Sequence, residues 1–388
     1  MWKGALARTS RRNDVKVDWL IVGAGLTGAT LAERLAARGK RVLVIDRRPH
    51  IAGNAHDAYD EHHHLIHPYG PHIFHTQSEL MWNYLSRFTT WRSYEHRVRA
   101  EVDGKLVPVP FNLDTLHALV EPTRAKRLER SLLESYGEGA HVPVLQLRKT
   151  ADADLRWLGD FAFESLFHGY TSKMWGVPPE ELDASVTGRV PLRVSRDDRY
   201  VQDRFQGIPV QGYTHLVQNM LRHPNIHILL GAEFSDVERD VDAHGVVYTG
   251  GLDALFGHTL GALPYRTLDF DRHVFAEAQR QPTASINYPG PRGATRSNEY
   301  KHLTGQRSPS TTVIWEYPRA HVPGETEPFY PVPMAANHAL HRAYLELAAR
   351  ERPEMVLAGR LADYRDYNMD QAVARALALM TKDPRLSA

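Results

Sequence analysis

A spaced run of glycines, Gly23-Ala24-Gly25-Leu26-Thr27-Gly28, constrains this chain more than any other feature, because of what flanks it. Residues 17–22 form a short apolar run typical of a buried parallel strand, and residues 29–38 have helical composition that stops at Gly39. Gly23 permits a tight turn, Gly25 lets a pyrophosphate approach the backbone, and Gly28 lets the following helix close on the strand. Residues 41–45 read as the second strand. Asp46 closes it about 20 residues beyond the turn, where a carboxylate accepts hydrogen bonds from a ribose and repels a phosphorylated one. The unit predicts a dinucleotide-binding strand-helix-strand.

With 388 residues, 42% of them hydrophobic, the chain is long enough for two or three domains around sizeable cores. A formal net charge of +1 argues against nucleic-acid binding, which calls for a broad basic surface. The sequence has no cysteine, which removes disulfides, thiolate metal sites and cysteine nucleophiles, and is compatible with the expected cytoplasmic location. Residues 1–15 carry Lys3, Arg8, Arg11 and Arg12 without the apolar core of a signal peptide, and are expected to be a flexible tail. No stretch reaches the roughly 20 apolar residues of a membrane span, so no membrane association is expected.

Helices are expected over 78–88, 113–134, 154–167 and 369–380, and a hairpin over 97–109 turning at Asp103-Gly104. A strand is expected at 311–316 and another at 355–358. His62, His63 and His64 are adjacent rather than spaced like a ligand set, so a solvated loop is expected there and no metal. The cofactor-binding elements come from both ends of the chain: Gly53-Asn54 follows Asp46 closely, and Gly359-Arg360 lies where a late strand meets a helix whose N-terminus would suit a charged flavin ring. That pattern favours FAD over NAD. The expected fold is α/β: a Rossmann-like FAD-binding domain (16–78, 204–256 and 334–384), a helical bundle insertion (79–92 and 112–180), and an antiparallel β-sheet domain (93–111, 181–203 and 257–333).

Several blocks are more specific. Tyr69-Gly70-Pro71-His72-Ile73-Phe74-His75-Thr76, Tyr94-Glu95-His96-Arg97-Val98, Tyr170-Thr171-Ser172-Lys173-Met174-Trp175-Gly176, Asp197-Asp198-Arg199-Tyr200 and Lys301-His302-Leu303-Thr304-Gly305-Gln306 closely resemble blocks of the prokaryotic UDP-galactopyranose mutase family, in the right order over residues 17–380. The resemblance implies an isomerase that interconverts UDP-galactopyranose and UDP-galactofuranose without net redox change. In such enzymes reduced FAD attacks the anomeric carbon through N5, and ring opening through an iminium precedes reclosure. The flavin must be reduced once from outside, with NADPH or NADH as the natural donor, and family members are often homodimers.

The resemblance also assigns residues. Tyr170 and Trp175 line the substrate cleft, Arg189 and Arg296 clamp the diphosphate, and Tyr200 and Tyr330 add hydroxyl contacts. Arg266, Tyr364 and Asp366 fall at further substrate positions. His75 and His96 lie beside the isoalloxazine, with Arg47, Asn54, Gly359, Arg360, Asn368 and Met369 completing the cofactor set; His75, Arg189 and Arg296 are the expected catalytic residues. Two departures stand out. Asp366 replaces a tyrosine thought to touch the diphosphate, and a carboxylate about 4 Å from a phosphate charge costs about 4 kcal/mol at an effective dielectric of about 20. Asp366 therefore points away, or Tyr367 takes the missing place, or the substrate is another nucleotide sugar. Ala52 replaces a glycine before Gly53-Asn54. An FAD oxidoreductase of the amine-oxidase kind and a noncatalytic binder are the rival readings.

Overall fold

A computed structural model describes residues 15–183, 186 and 191–387; Arg189, and all but the last residue of the expected tail, lie outside the described residues. Five parallel strands form one sheet in the order Ile226–Leu230, Val42–Asp46, Val15–Val22, Val241–Tyr248, Met355–Leu357. Their continuous apolar runs follow from burial on both faces: Leu20, Ile21, Val42, Val44 and Ile45 are fully enclosed. The helices Leu26–Ala36 and Met369–Lys382 pack together on one face. Phe234, Tyr248, Tyr344 and Tyr364 fill the other.

The first helix begins at Leu26, three residues earlier than expected, with Gly25 as its N-cap. Gly28 is therefore a helical residue. A Cβ placed on it would stand 1.9 Å from the Gly23 carbonyl oxygen, so helix and turn share a space that no side chain can enter.

A second sheet of seven strands runs Tyr330–Pro331, Tyr265–Phe275, Thr311–Ala320, Arg296–Glu299, Ser285–Asn287, Val98–Val102, Lys105–Val109. Its neighbours are antiparallel except Ser285–Asn287 and Val98–Val102, which run parallel. The hairpin turns at Asp103-Gly104, both residues having positive φ (49° and 74°), the backbone of a type I′ turn. A third, three-stranded antiparallel sheet joins Phe74–Thr76, Phe205–Pro209 and Trp91–Ser93. Phe74, Trp82, Trp91 and Phe205 stack over it with centroids 4.7 to 5.2 Å apart along Phe74–Trp91–Trp82–Phe205.

The stretch expected as one helix over 113–134 is two, Leu113–Leu119 and Pro122–Tyr136. Pro122 forces the residue before it out of helical geometry, and the Glu121 carboxylate then caps the new helix through the N–H groups of Thr123 and Arg124. The helix Ala153–Ala162 widens into a π-helical turn, Phe163–His168, before Gly169–Trp175. These helices share their core with the hairpin: Leu116, Leu128, Leu132 and Leu158 pack with Val107 and Val109. His64 is buried, with Nδ1 2.8 Å from Thr312 Oγ1, so the expected solvated loop holds only in part.

Candidate active site

One cleft of about 1230 Å³ runs between the parallel sheet, the large mixed sheet and the helices. Its volume exceeds the roughly 300–1,000 Å³ of a single small-molecule site. One end is the glycine turn. The first helix presents an N-terminus with no side-chain cap and no acidic residue in its first turn, leaving backbone N–H groups for an anion. Gly25 and Gly53 come back to back, so that a Cβ on Gly53 would stand 3.1 Å from Gly25 Cα. Asp46 accepts the N–H groups of Ala24 (2.8 Å) and Arg48 (2.9 Å), which fixes its carboxylate at the strand end. Arg48 donates to Asn54 Oδ1 at 2.9 Å, and Arg47 and Arg48 both pair with Glu327 across the cleft. Such a cradle fits the pyrophosphate and ribose of a dinucleotide. Ala52 sits before Gly53 at φ 74°, a left-handed conformation that an alanine adopts under strain.

Gly359 does not start a helix; Gly359 to Tyr364 form a turn, and the helix begins at Met369 with Asn368 and Gln371 in a capping box. The N-terminus at Asn368 and Met369 nonetheless faces the cleft, as do Gly359 and Arg360. Gly359 adopts φ 107° and packs against Thr27 and Thr249 of the glycine-turn region.

The opposite end is a wall of charge and aromatic rings. Arg296 and Glu316 are paired across neighbouring strands, and Arg296 Nε donates to Glu316 Oε2 at 2.6 Å. Glu316 is fully buried and also accepts from Asn298 Nδ2 at 2.7 Å. Burial works against both charges and pushes the Glu316 pKa up, but the direct Arg296–Glu316 hydrogen bond and the Asn298 amide favour the ion pair, and the carboxylate holds the guanidinium pKa well above its usual value. Arg360 donates to Asp366 Oδ1 at 2.6 Å and lies 5.5 Å from the Tyr330 ring centroid. Tyr330 meets Trp175 edge to face at 6.3 Å. Tyr170 completes the wall, its hydroxyl pKa raised by burial.

Lys173 ties this wall together. Its ammonium donates to the carbonyl oxygens of Tyr288, Gly290 (2.8 Å), Arg292 (2.9 Å) and Ala294 (3.2 Å), docking the helix Gly169–Trp175 onto the loop that leads into Arg296. Close approach there depends on Gly169, whose absent Cβ would stand 2.2 Å from Pro289 O.

The histidines lie between the two ends. His75, His96 and His72 line the cleft, with Tyr200 stacked edge to face on His96 at 5.6 Å. Burial pushes His96 and His72 down to about 3, so both are neutral at physiological pH. His75 Nδ1 lies 2.5 Å from Asp203 Oδ2.

Two expected substrate residues stand elsewhere. Arg266 is not part of the cleft lining; its Nε donates to Met174 O (2.8 Å) and Nη2 to Lys173 O (3.2 Å), so it closes the C-terminus of the helix that carries Trp175. Tyr364 is buried in the core, its hydroxyl donating to Pro264 O at 2.5 Å. Asp366 does line the cleft, neutralised by Arg360, while the Tyr367 hydroxyl donates to Asp363 at 3.2 Å. Glu316, Glu327, Asp203 and the π-helical Phe163 and Phe167 were not foreseen. Glu316 alone left a trace, as an alternating strand position.

A family model described as UDP-galactopyranose mutase matches residues 165–366, and one for an NAD(P)-binding Rossmann-like domain matches residues 21–88. A probable UDP-galactopyranose mutase of Klebsiella pneumoniae is 39% identical over 362 residues, 92% of each chain. A dTDP-fucopyranose mutase of Escherichia coli is 34% identical over 365 residues, 92% of this chain and 96% of that one. A crystal structure of reduced UDP-galactopyranose mutase superposes with a TM-score of 0.71 at 15% identity, covering 96% of both chains. With a dinucleotide cradle at one end of its cleft and an arginine-tyrosine wall at the other, the chain belongs to the UDP-galactopyranose mutase family.

Proposed function

We propose that the protein interconverts UDP-galactopyranose and UDP-galactofuranose, using reduced FAD laid along the glycine turn. The observation that carries this reading is the continuous cleft, roomy enough for a dinucleotide and a nucleotide sugar together, whose lining joins a phosphate cradle to a wall of two arginine–carboxylate pairs and aromatic rings. Gly23, Gly25 and Gly28 admit the cofactor pyrophosphate, Asp46 its ribose, and the helix N-terminus at Asn368 and Met369 the negative edge of the ring. Arg296 and Arg360 hold the substrate diphosphate, with hydroxyls from Tyr330 and Tyr200; each charge-assisted bond contributes about 1.5–3 kcal/mol. Trp175 and Tyr170 exclude water from the sugar. The chemistry that bound reduced flavin supplies is a nucleophile that takes the place of the departing nucleotide at the anomeric carbon. His75 and His96, beside this point, hydrogen-bond the ring or the sugar.

The external reductant in this reading is NADPH or NADH, the location cytoplasmic and the assembly a homodimer. The test is turnover of UDP-galactofuranose by dithionite-reduced and by oxidised protein. UDP-galactopyranose should form only with the reduced protein; a flavin-loaded, reduced protein that forms none rejects the proposal. Asp366 in the cleft, and the resemblance to a dTDP-fucopyranose mutase, favour a second reading in which the same chemistry serves a different nucleotide sugar. Comparing kcat/KM over a panel of UDP- and dTDP-linked sugars separates the two.

A further inference from the structure

His75 enters the cleft from the strand Phe74–Thr76, whose antiparallel partner places Gln206 directly opposite it. Three residues before Gln206, the chain returns Asp203 to the far side of the imidazole, Oδ2 to Nδ1 at 2.5 Å. Asp203 is not among the residues lining the cleft, whereas His75 is. The ring is thus gripped from behind, leaving its Nε2 edge to the cleft. The grip is fixed by the backbone around it. Arg204 N–H donates to Gln77 Oε1 (3.3 Å), Gln77 Nε2 to Gln202 O (3.4 Å), and Gln206 Nε2 to Asp203 O (3.1 Å). Underneath lies the stack of Phe74, Trp91, Trp82 and Phe205. An ionised carboxylate only accepts hydrogen bonds, so the proton between the two groups sits on Nδ1, and a neutral imidazole then carries its lone pair on Nε2.

We propose that Asp203 is a positioning residue: it locks His75 in the Nδ1–H tautomer and so presents Nε2 to the cleft as an acceptor for an N–H or O–H donor of the bound ligand. The tautomer follows from the geometry alone; its use in turnover rests on the function proposed above.

The experiment is a long-range ¹H–¹⁵N spectrum of the full chain labelled at histidine, recorded at about pH 8.5, roughly two units above the ordinary histidine value. His75→Asn identifies the signal. Wild type should show His75 protonated at Nδ1. Asp203→Asn, whose amide oxygen still accepts the bond, should keep that state, and Asp203→Ala should move the proton to Nε2. With the mutase assay, Asp203→Ala should lower kcat about tenfold or more and leave KM within about twofold, and Asp203→Asn should recover most of the loss. An Nε2-protonated His75 in wild type, or no change of tautomer in Asp203→Ala, overturns the proposal. A changed tautomer with undiminished kcat overturns its catalytic half. Failure of wild type to turn over any nucleotide sugar rejects the function, while the spectrum still decides the tautomer.

Discussion

Replacing Glu316 with glutamine tests how the arginine wall is held. Glu316 is enclosed by the sheet, and its carboxylate faces the Arg296 guanidinium at 2.6 Å, with Asn298 Nδ2 on its other oxygen at 2.7 Å. At that separation two unit charges attract by about 6 kcal/mol at an effective dielectric of about 20. Most of this offsets the cost of withdrawing both groups from water, and the loss on removing one partner of a buried pair is about 3–5 kcal/mol, because the survivor stays charged and unpaired. The Arg296 side chain keeps 22% of its surface exposed toward the cleft. Glutamine also retains an acceptor. Both points bring the loss to or below the bottom of that range, at about 2–3 kcal/mol. Urea unfolding of the protein without nucleotide should show that loss at unchanged m-value. UDP should restore about half of it, since a phosphate then faces the freed guanidinium, and calorimetric titration should give UDP binding about tenfold tighter than wild type, equivalent to about 1.4 kcal/mol. A stability loss under about 0.5 kcal/mol, or weaker UDP binding, refutes the account of Glu316 as the internal counter-charge that the diphosphate displaces.

Gly28→Ala sets a methyl group 1.9 Å from the Gly23 carbonyl, so the turn must open; flavin absorbance retained after gel filtration should fall by at least tenfold, and full retention would contradict the steric argument. Burial depresses His56 to about 4 and His67, His72 and His96 to about 3, so below the ordinary value near 6.5 the unfolded chain takes up protons that the folded chain refuses. Stability is therefore fully present above about pH 6.5 and is lost as pH falls toward the folded values. The slope approaches about 1.4 kcal/mol per pH unit for each histidine, partly offset by Asp57, whose pKa burial raises. Urea midpoints at about pH 7 and about pH 5 measure this; equal midpoints would show that these rings are solvated.

What the sequence disclosed was decided by local sterics. The glycine turn, the Asp103-Gly104 hairpin and the strand ending at Asp46 each follow from a few adjacent residues, and each stands in the structure. Pro122 marks the break between the two helices, although the apolar periodicity on both sides of it continues as one pattern. The position of Arg266 was not legible, because its acceptors are the carbonyls ending a helix about 90 residues earlier, and only folding brings them together. Asp203 and Glu316 share that character. Each acts on a strand residue distant in sequence, Glu316 through strand register and Asp203 from the segment just before Phe205–Pro209, and local sequence encodes neither. The core position of Tyr364 is illegible for a related reason: its neighbours Asp363 and Asp366 turn toward polar partners while it faces the core.

The four carbonyls around Lys173 have a mechanical consequence. To part Trp175 from Arg296, the molecule must break the contacts of one ammonium, whose three N–H groups are shared among the backbone oxygens of Tyr288, Gly290, Arg292 and Ala294, the Tyr288 and Ala294 contacts being partly buried. Helix and loop therefore travel as one rigid body. The arginine-tryptophan side is thereby preassembled, a fixed jaw against which incoming molecules are gauged.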